Sequence, residues 1–249
     1  MKILLKIRFV GTNYAGYQVQ NNAPTVQGEL CRAAEQLFGK RCDVTGCSRT
    51  DSGVHANLFC AAVTNHGSQS LETTVPTDKI PRAMNAFLPP DIAVISAEEV
   101  DNEFHPRYDV KSKEYVYLIQ NGGERDPFMA DRCLFYPKRL DVDGMNEAAQ
   151  KFVGERDFAA YMAAGSKVES TVRTIYSASV TREGNLIKFS VRGNGFLYNM
   201  VRIMMGTLLA VGEGRVFPEE IPSITESLDR KRAGSTAPAC GLYLNDVEY

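Results

Sequence analysis

The sequence predicts an α+β protein made of two split βαβ halves, each a largely antiparallel sheet with helices on one face, the halves meeting at a central cleft. Three observations carry this expectation. Residues 2–10 alternate apolar and basic side chains, residues 2–100 order as strand, helix, strand, strand, helix, strand, and the chain beyond residue 112 repeats that order of elements without repeating residues.

The elements follow in turn. Ile3, Leu5, Ile7 and Phe9 stand against Lys2, Lys6 and Arg8, the two-residue period of a strand with one buried face. After the turn-rich GTNYAGYQVQNNAPT, Thr25 caps a helix in which Val26, Leu30, Ala33, Ala34, Leu37 and Phe38 share a face, and Gly39 ends it. Strands are expected over 42–47 and 55–64, then a helix over 77–87 that Pro89 and Pro90 stop, then a strand in DIAVISAEEV. The second half opens with a strand over 113–120 and a helix begun by Asp141. Strands over 170–181 and 186–193 follow, then a long apolar helix over 196–211, a short helix begun by Pro218 and a closing strand in GLYLNDVEY. This is a ferredoxin-like order twice over. The boundary is expected within 101–112, dividing an N-terminal half, 1–106, from a C-terminal half, 107–249, with no Gly-, Pro- or Ser-rich linker between them.

A length of 249 residues with 44% hydrophobic content is enough for a sizeable core. No stretch approaches the roughly 18 apolar residues of a membrane span, and MKILLKIRFV alternates instead of forming an apolar signal core, so a cytoplasmic protein without a membrane partner is expected. The six cysteines form no CxxC pair, and His55, His66 and His105 are not spaced like metal ligands, so free, mostly buried thiols and no metal are expected. With 28 basic and 30 acidic residues the net charge is −2. An RNA partner would therefore need positive charge segregated onto one face.

Three stretches can carry chemistry. In GCSRTDSGVHA, residues 46–56, a glycine-flanked loop between two strands presents Asp51, and Arg49 nearby would keep its carboxylate ionised as a nucleophile or base. The same spacing describes an Asx turn of Asp51 and Ser52 with Gly53. His55 invites an acid–base pairing with Asp51, although a loop running into a strand gives no helical register for it. In NGFLYNMVRIMMGTLLAVGEG, residues 194–214, Arg202 interrupts an almost wholly apolar helix, so it must reach solvent along its own stem or meet an acid. Met200, Met204 and Met205 read as core. In KSKEYVYLIQ, residues 111–120, Tyr115 and Tyr117 share one strand face, where they can pack, stack on a base or pass a proton. Arg107, Lys111 and Lys113 add positive charge of the kind phosphates attract.

Together these stretches resemble the TruA family of tRNA pseudouridine synthases. The loop is similar to the family's G-x-G-R-T-D-x-G-V-H motif, the arginine helix to its F-x-x-H-M-V-R motif, and YAGYQ and APACGLYL match as well, in family order from residue 7 to the C terminus. The resemblance implies isomerisation of uridine to pseudouridine in the anticodon stem-loop of tRNA (positions 38, 39 and 40), by base flipping, in a homodimer and without metal or other cofactor. It implies Asp51 as catalytic nucleophile, Arg202 as its ion-pair partner, Tyr115 in the uridine pocket, and Arg49 and His55 as substrate-binding residues. Ser48 replaces the usual glycine, Ser52 alanine, Asn199 histidine, Ile203 asparagine and Tyr17 tryptophan. Two rival classes are a non-catalytic binder of structured RNA and a hydrolase using Asp51. No phosphate-cradling loop, metal-ligand cluster or clearly placed second carboxylate accompanies Asp51 to favour the latter.

Overall fold

Lys2–Phe9 form strand β1, and the alternation that predicts it buries Ile3, Leu5, Ile7 and Phe9. In the computed structural model, which describes residues 1–165 and 168–249, the chain divides into two units. One is Met1–Lys111 joined by Leu244–Tyr249, the other Ser112–Tyr243.

The first unit keeps the expected order. Helix α1 (Val26–Phe38) starts where the Thr25 hydroxyl accepts the Gly28 N–H at 3.2 Å, and it ends at Gly39. Such a cap contributes about 1 kcal/mol. Its buried stripe is Val26, Leu30, Ala33 and Ala34, and complete burial of one leucine contributes roughly 1.5–3 kcal/mol. Strands β2 (Cys42–Gly46) and β3 (His55–Asn65) follow, then α2 (Ile80–Asn85) and β4 (Ile92–Val100). The helix expected over 77–87 is shorter, because a 3-10 turn occupies Thr77–Lys79 and Pro81 opens the α-helical turn after it. Strands β4, β1 and β3 lie side by side, all antiparallel, and β2 pairs antiparallel with β3 from Gly46↔Ala61 to Cys42↔Asn65. That is the split βαβ order. Helices α1 and α2 touch each other and pack against β2 and β4, so they cover one face of the sheet.

The second unit contains β5 (Ser112–Asn121), β6 (Leu134–Tyr136), α3 (Val142–Gln150), β7 (Gly154–Asp157), β8 (Val172–Glu183), β9 (Leu186–Gly193), α4 (Met200–Gly212) and α5 (Glu220–Glu226). Its sheet runs β5, β9, β8, β7 with antiparallel pairing, and β6 adds parallel to β5. Helix α3 is capped by Asp141, whose carboxylate accepts the Gly144 N–H at 3.2 Å, and it packs on β8 and α4. Helix α4 begins at Met200 instead of Phe196, because Asn199 takes left-handed backbone angles.

The last strand, β10 (Leu242–Glu248), neighbours β3. The expected division at 106/107 leaves this strand with the second half, whereas Leu244–Tyr249 make their contacts in the first unit. Several interactions hold it there. The Lys111 N–H donates to Glu248 O at 2.8 Å, the Tyr249 hydroxyl donates to Pro106 O at 2.8 Å, and the Tyr249 ring lies 4.9 Å from that of Phe104.

The class is thus the expected α+β with largely antiparallel pairing. Among the described residues, no helix is long and apolar enough to cross a membrane, and no three His, Cys, Asp or Glu side chains are grouped to hold a metal ion. None of the six cysteines is joined in a disulfide.

Candidate active-site elements

The loop between β2 and β3 is built on main-chain bonds. The Cys47 N–H donates to Cys60 O at 2.8 Å, which carries the ladder one residue past β2. The Cys60 thiol is pushed up to about 12 by burial, with Cys47 beside it, so it stays protonated and packs as an apolar group. Beyond it the chain turns. The Val54 N–H donates to Asp51 O at 3.2 Å and Gly53 has φ +79°, the left-handed third position of a type II turn, which glycine alone adopts without strain.

In an Asx turn the Gly53 N–H would go to the Asp51 side chain; here it goes to Tyr14 O at 3.3 Å. The half-buried Asp51 therefore sits at the corner of a main-chain turn.

A second loop, residues 11–17, clasps the first. Tyr14 O also accepts the Ser52 hydroxyl at 3.2 Å, the Tyr17 N–H donates to Thr50 O at 3.2 Å, and His55 Nδ1 accepts the Gly11 N–H at 3.0 Å. The clasp leaves no room: a Cβ on Gly16, whose φ is +95°, would come within 2.5 Å of Thr50 O. Tyr14 is itself tethered, its hydroxyl donating to Asp91 Oδ1 at 2.5 Å. Tyr17, fully buried and stacked on Phe59 at 4.4 Å, gives its hydroxyl to Val44 O. Arg49 is exposed at the mouth of the loop. His55 is completely buried, so its imidazole fastens the two loops together from within.

Tyr115 and Arg202 belong to the second unit. On β5, Tyr115 is paired with Val191 and its ring meets Phe196 edge-on at 5.1 Å. Tyr117, on the same face, is fully buried and donates its hydroxyl to Pro238 O at 2.7 Å; burial pushes its phenol well above the usual range, so it remains a donor. Arg202 is half-buried on α4. Its Nε donates to Ala237 O at 2.8 Å and its Nη1 to Asn199 Oδ1 at 2.8 Å. The short segment 196–199 thus serves both side chains, Phe196 against Tyr115 and Asn199 against Arg202.

Tyr14, Gly16, Phe196 and Ala237 stand in stretches that resemble family motifs, but their supporting roles act through backbone atoms or packing that no spacing rule shows. Asn199 is the exception. An asparagine just before an apolar helix, three residues ahead of its only arginine, is a legible hint of a polar contact along the first turn.

A family model described as tRNA pseudouridine synthase matches residues 6–109 and 148–249. A protein of Ruminiclostridium cellulolyticum named tRNA pseudouridine synthase A is 47% identical over 249 residues, spanning 100% of this chain and 99% of its own. Proteins of the same name from Acetivibrio thermocellus and Clostridium kluyveri are each 45% identical over 248 residues, again spanning 99% of both chains.

Proposed function

The chain belongs to the tRNA pseudouridine synthase family, isomerases that act on tRNA, and on that premise we propose that it isomerises uridines of the anticodon stem-loop, at positions 38, 39 and 40, with Asp51 as the nucleophile. The reaction changes connectivity only. The bond from the ribose to N1 of uracil breaks, the detached base turns while still held, and C5 bonds to the ribose. N1 ends with a proton and C5 loses one, so the atoms balance without an external reactant.

A carboxylate suits the first step, because it attacks carbon and leaves again as a stable anion. A stacked uridine is out of its reach, so the nucleotide is flipped out at a cost of a few kcal/mol, which contacts to the RNA backbone offset. Arg49, exposed beside the turn, displaces the base. Tyr115 lies against the flipped uracil and passes on the proton that C5 loses. Arg202 balances the Asp51 carboxylate, answering the need of a guanidinium in an apolar helix for an acid. His55 takes part from behind, by holding the loop.

The observation that carries this reading is the mounting of Asp51, at the corner of a type II turn whose neighbours on both sides are bonded to the 11–17 clasp. A side chain needed only to close a turn would not require that scaffold. At a net charge of −2 the phosphates must be met by local basic residues, and Arg49, Arg107, Lys111 and Lys113 are the basic side chains these stretches carry. The working form is a cytoplasmic homodimer, free of membrane.

Purified protein incubated with unmodified tRNA, no cofactor added, forms pseudouridine at positions 38–40, and Asp51→Ala and Asp51→Asn form none while binding tRNA as before. Absence of product from the intact chain sinks the reading; product from Asp51→Asn sinks the assignment of the nucleophile.

A further inference from the structure

The geometry points to Asn199 as a positioning residue that sets the plane and reach of the Arg202 guanidinium. The inference rests on the reading of Arg202 as the partner of the catalytic carboxylate.

Two local rules are broken at Asn199. The residue that opens a helix ordinarily has extended backbone and turns its side-chain oxygen onto an N–H of the first turn. Asn199 opens α4 with φ +59° and ψ +9°, and its side chain caps nothing. Only two other non-glycine residues among those described, Asp131 and Leu228, have positive φ. Left-handed angles crowd the Cβ of an ordinary residue and are best tolerated by asparagine and aspartate. A residue that gives up both its cap and its relaxed backbone signals a competing use, and such outliers gather where geometry matters to function.

The competing use is in plain view: Asn199 Oδ1 accepts Arg202 Nη1 at 2.8 Å. The residue it meets lies three positions on, in the first turn of the helix. Arg202 has a second anchor, Nε to Ala237 O at 2.8 Å, matched by the Ala237 N–H donating to Arg202 O at 3.1 Å.

That second anchor is firm. The segment preceding Ala237 lies directly on α4, so close that a Cβ on Gly206 would come within 1.7 Å of Ser235 O, and the Gly234 N–H donates to the Thr207 hydroxyl at 2.9 Å. From the other side Tyr117 holds Pro238 O. With Nε pinned to a fixed strap, the flexible coordinate left to the side chain is the swing of its outer nitrogens, and Asn199 removes it. A guanidinium is a rigid planar fork. Two pinned nitrogens therefore fix the plane of the group and the directions of its other N–H bonds, the condition for a bidentate grip on a carboxylate. Neither of these two anchors carries charge, so neither offsets that of the guanidinium.

The test compares single-turnover rates and tRNA affinity. Asn199→Gly keeps the left-handed backbone without strain and deletes the acceptor; it is expected to slow the chemical step about 10-fold or more, the order of loss a misaimed group produces, with tRNA affinity and thermal midpoint unchanged. Asn199→Asp keeps the backbone preference but sets a carboxylate against Arg202 that competes with the catalytic acid, so it too is expected to be slow with tRNA affinity unchanged. In an Arg202→Lys background, Asn199→Gly has little left to remove, so the two losses do not multiply. A wild-type rate for Asn199→Gly, losses that multiply fully, or a rate loss matched by lost tRNA affinity overturns the inference. Should Asn199→Gly not fold, wild-type turnover by Asn199→Asp overturns it as well. Wild-type turnover by Arg202→Lys would instead remove the role given to Arg202, which is a separate failure.

Discussion

His55 Nδ1 accepts the N–H of Gly11 at 3.0 Å in the interior of the first unit, joining two loops that lie 44 residues apart in sequence. One of those loops carries Asp51, so the bond ties the carboxylate's mounting to the strand that starts the chain. Replacing His55 by Leu leaves a buried N–H without its acceptor, at a cost of about 1–3 kcal/mol. Turnover falls with it as the Asp51 turn loosens. Urea unfolding and tRNA titration together check this: a contact between His55 and RNA would instead weaken binding at unchanged stability.

Gly16 tests the clasp from the other side. Gly16→Ala forces a Cβ to 2.5 Å from Thr50 O at a φ of +95°, where an alanine is strained even in open space. The expected loss is about 1–3 kcal/mol of stability. The displaced atom is main chain next to Asp51, so the rate falls further than the midpoint shift explains. Thermal unfolding read beside turnover at a temperature where the variant is fully folded separates the two effects.

Strong local codes were readable from residues alone. Thr25 and Gly39 bracket α1 to the residue, and Asp141 opens α3, because caps and periodic stripes are decided within one segment. Strands β6 and β7 were not, since three or four residues give no period to detect and their place is set by the neighbours they pair with. The start of α4 was misplaced by four residues for a related reason: Phe196–Asn199 continue the apolar run, while Asn199 bends the backbone left-handed to serve Arg202. At the candidate site the side chains themselves were legible, Asp51 and Arg202 above all. Their supports were not. Tyr14 O, Thr50 O and Ala237 O are carbonyls, and a sequence says nothing about which carbonyl meets which donor.

Arg202→Leu is expected to inactivate more than it unfolds. Leucine suits the apolar helix and leaves no charge buried, so the change costs the bonds to Ala237 O and Asn199 Oδ1 while relieving a desolvation penalty. The folded variant, verified by circular dichroism, then binds tRNA and forms no pseudouridine. Wild-type turnover by that protein would refute the role assigned to the guanidinium.

Tyr117→Phe probes the strap that bears the Ala237 anchor. Its hydroxyl donates to Pro238 O at 2.7 Å, and deleting it costs about 1 kcal/mol, the net worth of one hydrogen bond. A distinct signature appears in alkali. Burial raises the folded phenol's pKa above its unfolded value of about 10, so Tyr117 contributes its full stability below that pH. As pH climbs past that value the unfolded chain loses a proton that the folded chain keeps, and stability falls until the folded value is passed. The phenylalanine variant lacks this proton, so its unfolding free energy declines less steeply above pH ~10. Denaturant titrations across that range, intact chain against variant, read the difference in slope directly; equal slopes would mean that the Tyr117 phenol ionises alike in both states.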